Sequence, residues 1–95
     1  MADQHSFVWI DAMITIIRLP AILAKTGKTR SPLYADIARG TFTKPVKLSA
    51  RAAGWPEHEV AAINAARIGG ANDDDLRELV CKLHEARRAT QPVFP

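Results

Sequence analysis

"KTGKTRSPLYADIARG", residues 25–40, decides how the rest of the chain is read. It carries four cations, Lys25, Lys28, Arg30 and Arg39, and one acid, Asp36. Leu33 and Ile37 are four apart, so they share one face of a helix and point inward. Thr29 or Ser31 suits the capping position. Pro32 is harmless in a first turn, because the N–H it lacks would be unpaired there anyway. Gly40 suits the stop. The segment predicts a helix over 29–40 that leaves a polar face for something outside the core.

Immediately upstream, "RLPAILAKTG" (18–27) predicts a shorter helix. Pro20 sits in its first turn, Ile22 and Leu23 form its apolar side, and Gly27 ends it. Two short helices joined by a tight glycine turn make a helix-turn-helix. Downstream the period changes. In "KPVKLSARAAGW" (44–55), Val46 and Leu48 alternate with Lys47 and Ser49, as in a half-buried strand. "AAGW" (52–55) returns as a second strand, with Trp55 covering the core. "PEHEVAAINAARIGG" (56–70) predicts a third helix with Val60 and Ile63 inward, closed by Gly69 and Gly70. "NDDDLRELVCKLHEARR" (72–88) is the strongest amphipathic signal, with Leu76, Leu79, Val80 and Leu83 on one stripe. Asp73 to Asp75 suit the positive end of its dipole, and Arg87 and Arg88 the negative end. "ATQPVFP" (89–95) reads as a loose tail.

The expected fold class is mainly α with a small β-hairpin wing, a winged helix-turn-helix. Residues 1–17 read as an N-terminal extension, 18–70 as the winged domain, and 71–95 as a C-terminal amphipathic helix and tail.

Ninety-five residues make one small domain with a modest core, in which a deep catalytic cleft is not expected. Cys81 is the only cysteine, which excludes an internal disulfide and a Cys-rich zinc site and fits a reducing cytoplasm. No signal peptide is evident. "FVWIDAMITII" (7–17) is too short to span a bilayer and contains Asp11, so no membrane partner is expected. The net charge of +3 hides an asymmetry: residues 18–51 hold eight Lys and Arg against one acid, a net +7, and the segments on either side are each −2. Positive charge gathered in one continuous third is the footprint of a polyanion-binding surface. The plain alternative is a solvated basic face.

The second helix carries the chemistry. In a helix-turn-helix the leading turn of the second helix meets base edges, while the first helix and the turn touch phosphates. Lys28, Thr29, Arg30, Ser31, Pro32 and Tyr34 occupy that region, with Arg39 at the far end. Arg30 is the candidate for a guanine, because its fork matches O6 and N7. Thr29 and Ser31 can also donate to phosphate. Tyr34 reads equally as a DNA contact or as a core-edge residue. Asp36 pairs with Arg39 three residues on or, less readily, accepts from a cytosine amine. In the wing, Lys47 and Arg51 would reach the minor groove or backbone, and Lys44 a phosphate.

Other chemistries fall away. "GKT" (27–29) resembles the end of a phosphate-binding loop, but Ile22 stands where that loop needs a glycine. His5, His58 and His84 are scattered and form no metal-binding pattern, so no metal and no cofactor is expected. Nothing groups a nucleophile, a base and an orienter, so the chain does not read as an enzyme.

The stretch "RLPAILAKTGKTRSPLYADIARGTFTKPVKLSARAAGWPEHEV" (18–60) resembles the AlpA family of small phage-type regulators. The resemblance rests on "RLP", "TGKTRSPLY", "G-x-F-x-KPVKL" and "GWPEHEV" in that order. It implies a winged helix-turn-helix related to the MerR DNA-binding domain and to phage excisionases. It also implies double-stranded DNA as partner, and a role as transcriptional regulator or as a recombination directionality factor that assists an integrase. Thr43 stands where the family often has proline, Ala35 where an arginine is frequent, and "SARA" (49–52) replaces a more glycine-rich wing tip. Residues 1–12 read as an extension or an early start.

The resulting expectation is a cytoplasmic, nucleoid-associated excisionase that binds and bends DNA. The alternative is a transcriptional regulator of mobile-element genes, and a third is an antirepressor without DNA affinity. Self-association on DNA is expected through Trp9 and its apolar neighbours, or through Leu76, Leu79 and Leu83. The plain alternative is that these two surfaces cover each other within one protomer.

Overall fold

The computed structural model of the protein describes residues 14–90. In chain order the elements are β1 (Ile16–Ile17), α1 (Leu19–Thr26), α2 (Arg30–Arg39), β2 (Val46–Ser49), β3 (Ala52–Pro56), α3 (Glu57–Ile68) and α4 (Asp73–Thr90). Four helices and a small antiparallel sheet make the winged helix-turn-helix that the sequence predicts.

The turn between α1 and α2 works as its residues suggest. Gly27 takes φ 71°, a left-handed conformation that costs a glycine nothing, and its N–H returns to the Leu23 carbonyl. Thr26 Oγ1 donates to the Ile22 carbonyl at 2.8 Å, and Asn64 Nδ2 donates to the Lys25 carbonyl at 2.9 Å. Two of the last four carbonyls of α1, those of Leu23 and Lys25, are thereby paired.

The sheet has strand order β1-β3-β2. Ile16 and Ile17, which the sequence assigned to an extension, pair with Pro56 and Trp55. The Glu57 N–H donates to the Thr15 carbonyl at 2.7 Å, which ties the start of α3 to the same strand. At Gly54, β1 lies tight against β3. A Cβ there would lie 2.5 Å from Ile16 Cγ2 and 2.9 Å from the Ile17 carbonyl oxygen, so no larger residue fits. In the wing, Val46 faces Gly54 and Lys47 faces Ala53, but Ser49 faces Ala52, so one extra residue bulges between Lys47 and Ser49. The expected alternation breaks there: Val46 is half-buried, whereas Leu48 is 45% exposed.

One core serves the whole assembly. Ile22 of α1, Leu33 of α2, Phe42, Trp55 of β3, Val60 and Ile63 of α3, and Leu76 and Val80 of α4 are all buried in it. Phe42 and Trp55 meet edge to face, 6.5 Å between centroids. The core crosses both expected boundaries, since Ile17 packs on it from one side and α4 from the other. A reciprocal cap starts α4: the Asp75 N–H donates to Asn72 Oδ1 at 2.8 Å, and the Asn72 N–H donates to Asp75 Oδ2 at 3.2 Å. Among the described residues, no helix is long and apolar enough to cross a membrane.

Candidate nucleic-acid interface

Helix α2 has two unlike faces. Leu33 and Asp36 are buried and Ile37 is half-buried, so this side faces the core. Arg30, Ser31, Pro32, Tyr34 and Arg39 are exposed. Tyr34, open to either reading from sequence, is 43% exposed and lies outside the core. Among the described residues, none pairs with the guanidinium of Arg30. Thr29 occupies the capping position but its side chain makes no capping bond, contrary to expectation. A capping hydroxyl usually accepts from the N–H at the second or third helical position, and Pro32, at the third, has none, which removes one of the two donors. The Thr29 hydroxyl is left exposed at the leading edge of the helix.

Asp36 is the centre of this surface. Its side chain is 1% exposed, and three cations converge on it: Lys28 from the turn, Arg39 from the end of α2, and Arg67 from the last turn of α3 at 3.2 Å. The expected Asp36–Arg39 pair is present. The cytosine reading fails, because a buried carboxylate held on all sides cannot reach a base edge. Lys28 and Arg39 are therefore oriented cations, and with Arg67 they leave the cluster at a net +2. Arg67 is not among the residues that the sequence points to; Asp36, the lone acid among eight cations in residues 18–51, marks a charge in need of partners but not which distant residue supplies one.

The wing carries the second group. Lys47 lies on β2 and Arg51 in the turn after it; both are exposed, and among the described residues neither is paired. They line one shallow depression with Pro45, Ser49 and Ala50, so the hairpin brings them to one rim. Lys44 is also exposed, but its main chain is held from α4. Its N–H donates to His84 Nε2 at 3.1 Å, and its carbonyl accepts from Arg87 Nη2 at 2.7 Å. Arg87 reaches past it to Glu59, donating from Nε at 2.8 Å and from Nη2 at 2.6 Å. Burial, followed by the charge of Arg87, holds the His84 pKa below its usual 6.5.

The self-association candidates divide. Trp9 lies outside the described residues. Leu76 is buried, and Leu79 and Leu83, half-buried, pack against the core at its edge, so this stripe faces the core. Among the described residues, no three His, Cys, Asp or Glu side chains converge as metal ligands would.

The family described as "Prophage CP4-57 regulatory protein (AlpA)" matches residues 15–66, from β1 into the last turns of α3. The chain is also 35% identical, over 54 residues, to the uncharacterized protein ORF88 of Enterobacteria phage P4; the match takes in 57% of this chain and 61% of that one. The chain thus spans less than two thirds of the length of that relative. No solved structure matches it. With more than half of its residues in one continuous match that includes the helix-turn-helix and the wing, the chain belongs to the AlpA family of prophage regulatory proteins.

Proposed function

We propose that the protein binds duplex DNA sequence-specifically on a prophage or integrative element, through the leading turn of α2 and the wing. One observation carries this reading: Arg30, Ser31 and Tyr34 stand exposed on α2, beside cations already ordered by a buried carboxylate. Long cationic side chains lose rotamer freedom when they bind, and those fixed in advance lose less. Lys28, Arg39 and Lys44 then contact phosphate, Arg30 reads a base, and Lys47 and Arg51 extend the contact along the groove or backbone.

The favoured role is that of an excisionase, which assists a recombinase by binding and bending DNA at repeated sites. The described residues hold a reading helix, a wing and their supports, which is what an architectural job requires. One such domain covers few base pairs, so self-association on DNA belongs to the proposal. With the α4 stripe packed on the core, the favoured contact is another surface, and Trp9 with its neighbours is the candidate. The second reading, transcriptional regulation of the element's genes, draws support from the family's description as regulatory proteins. Footprinting across the protein's own genetic neighbourhood separates the two. Repeated protected sites beside an attachment site favour excision. A single site over a promoter favours transcription. Protection nowhere, together with equal affinity for random DNA, sinks sequence-specific binding altogether.

A further inference from the structure

Three successive main-chain groups at the root of the wing are held by side chains from outside β2. The Thr43 carbonyl accepts from Trp55 Nε1 at 3.0 Å. The Lys44 N–H and carbonyl are taken by His84 and Arg87, three residues apart on one face of α4. Arg87 is fixed in turn by the fully buried carboxylate of Glu59 on α3. A two-stranded hairpin has little stability alone, so the hold on its base governs where its tip lies. All of α4 lies beyond the family match, which ends at residue 66.

We infer that α4 is a latch for the wing: His84 and Arg87 are positioning residues that fix the base of the hairpin and so set Lys47 and Arg51 for the DNA backbone. The second half of this statement rests on the DNA-binding reading above; the first half does not. The latch requires a neutral ring. Nε2 accepts the Lys44 N–H only when it carries no proton, which puts the ring proton on Nδ1. Among the described residues, the charged groups that act on the ring are Arg87 of α4, Lys44 of the loop and Glu59 of α3. The first two oppose protonation along with burial, and Glu59 favours it. Because the folded-state pKa is lowered, the bond is intact above the ordinary 6.5 and is lost as pH falls through the lowered value. The wing should loosen as pH falls through that lowered value while the helices hold.

The test uses the whole chain with His84→Ala, His84→Gln and the pair Lys47→Ala with Arg51→Ala. Amide hydrogen exchange in the free protein reports the latch. His84→Ala should lower protection across residues 46–53 at pH 7 and leave α2 and α3 unchanged. His84→Gln, whose amide oxygen accepts at any pH, should restore protection and keep it down to pH 5. In the wild-type chain, hairpin protection should fall as pH drops through the lowered His84 value, ahead of the helices. Wild-type hairpin protection that stays flat until the helices themselves open, or His84→Ala protection equal to wild type, overturns the latch. DNA binding reports the consequence. His84→Ala should flatten the log–log salt dependence by about 1 unit per lost phosphate contact, and should add nothing once Lys47 and Arg51 are gone. If the hairpin loosens but the pair Lys47→Ala with Arg51→Ala leaves the salt slope unaltered, the latch stands and the wing's role on DNA falls.

Discussion

Two residues show how much a single side chain decides here. Arg30 is the first residue of α2, exposed, and unpaired among the described residues. On the proposed DNA-binding reading, a guanidinium placed there matches guanine O6 and N7, so Arg30→Ala should cost about 1–3 kcal/mol on the specific site and little on random DNA. Titrations on both DNAs check this, and equal losses would reduce Arg30 to a phosphate contact. Thr43 is the opposite case. It is fully buried, and its Oγ1 has no hydrogen-bond partner among the described residues. A hydroxyl buried without a partner costs about 1–3 kcal/mol. Thr43→Val keeps the shape and removes that cost, so the melting temperature should rise by several degrees; a fall would mean that Oγ1 has a partner after all. The sequence marks Thr43 only as a departure from its family. Its main chain is held by Trp55 from twelve positions away, and no local pattern records that.

At the scale of elements, Asp36 joins three pieces: the turn through Lys28, α2 through Arg39, and α3 through Arg67. Asp36→Asn strips one partner from a buried ionic cluster, a change that typically costs about 3–5 kcal/mol. It also raises the net charge by one. Charge alone would tighten binding to every DNA, whereas a reading helix set loosely on α3 should bind its own site worse and random DNA no worse. Chemical denaturation with paired binding isotherms separates these outcomes, and equal tightening on both DNAs would leave Asp36 no role in setting the helix. The helices and the hairpin were legible because each is written in neighbouring residues: Gly27 and Gly40 as stops, Pro20 and Pro32 in first turns, Leu76 to Leu83 as a stripe. The Asp36–Arg39 pair was legible for the same reason. Arg67 is 31 positions from Asp36 and Arg87 is 28 from Glu59. Such pairs carry no spacing that a reader of one sequence could recognise. β1 escaped because two residues, Ile16 and Ile17, are too few to show a period.

Across the whole molecule, the core takes buried side chains from α1, α2, α3, α4 and β3, together with Phe42. Leu76 and Val80 close the side that α3 leaves open. A chain ending at residue 70 should therefore lose its cooperative thermal transition, because large buried residues are worth about 2–5 kcal/mol each in a small domain. A sharp melt in the shortened chain would show that α4 only decorates a finished fold. The shared core also bears on how such proteins diversify. Mobile elements exchange gene segments, and a crossover just after the family's matched region would look like a clean cassette swap of one DNA-reading head for another. Here it would not be clean. The incoming head would arrive without the leucines that plug its underside, and without the histidine and arginine that steady its wing. Hybrids cut at that seam should be rare among viable relatives, and the reading head and its last helix should be inherited together.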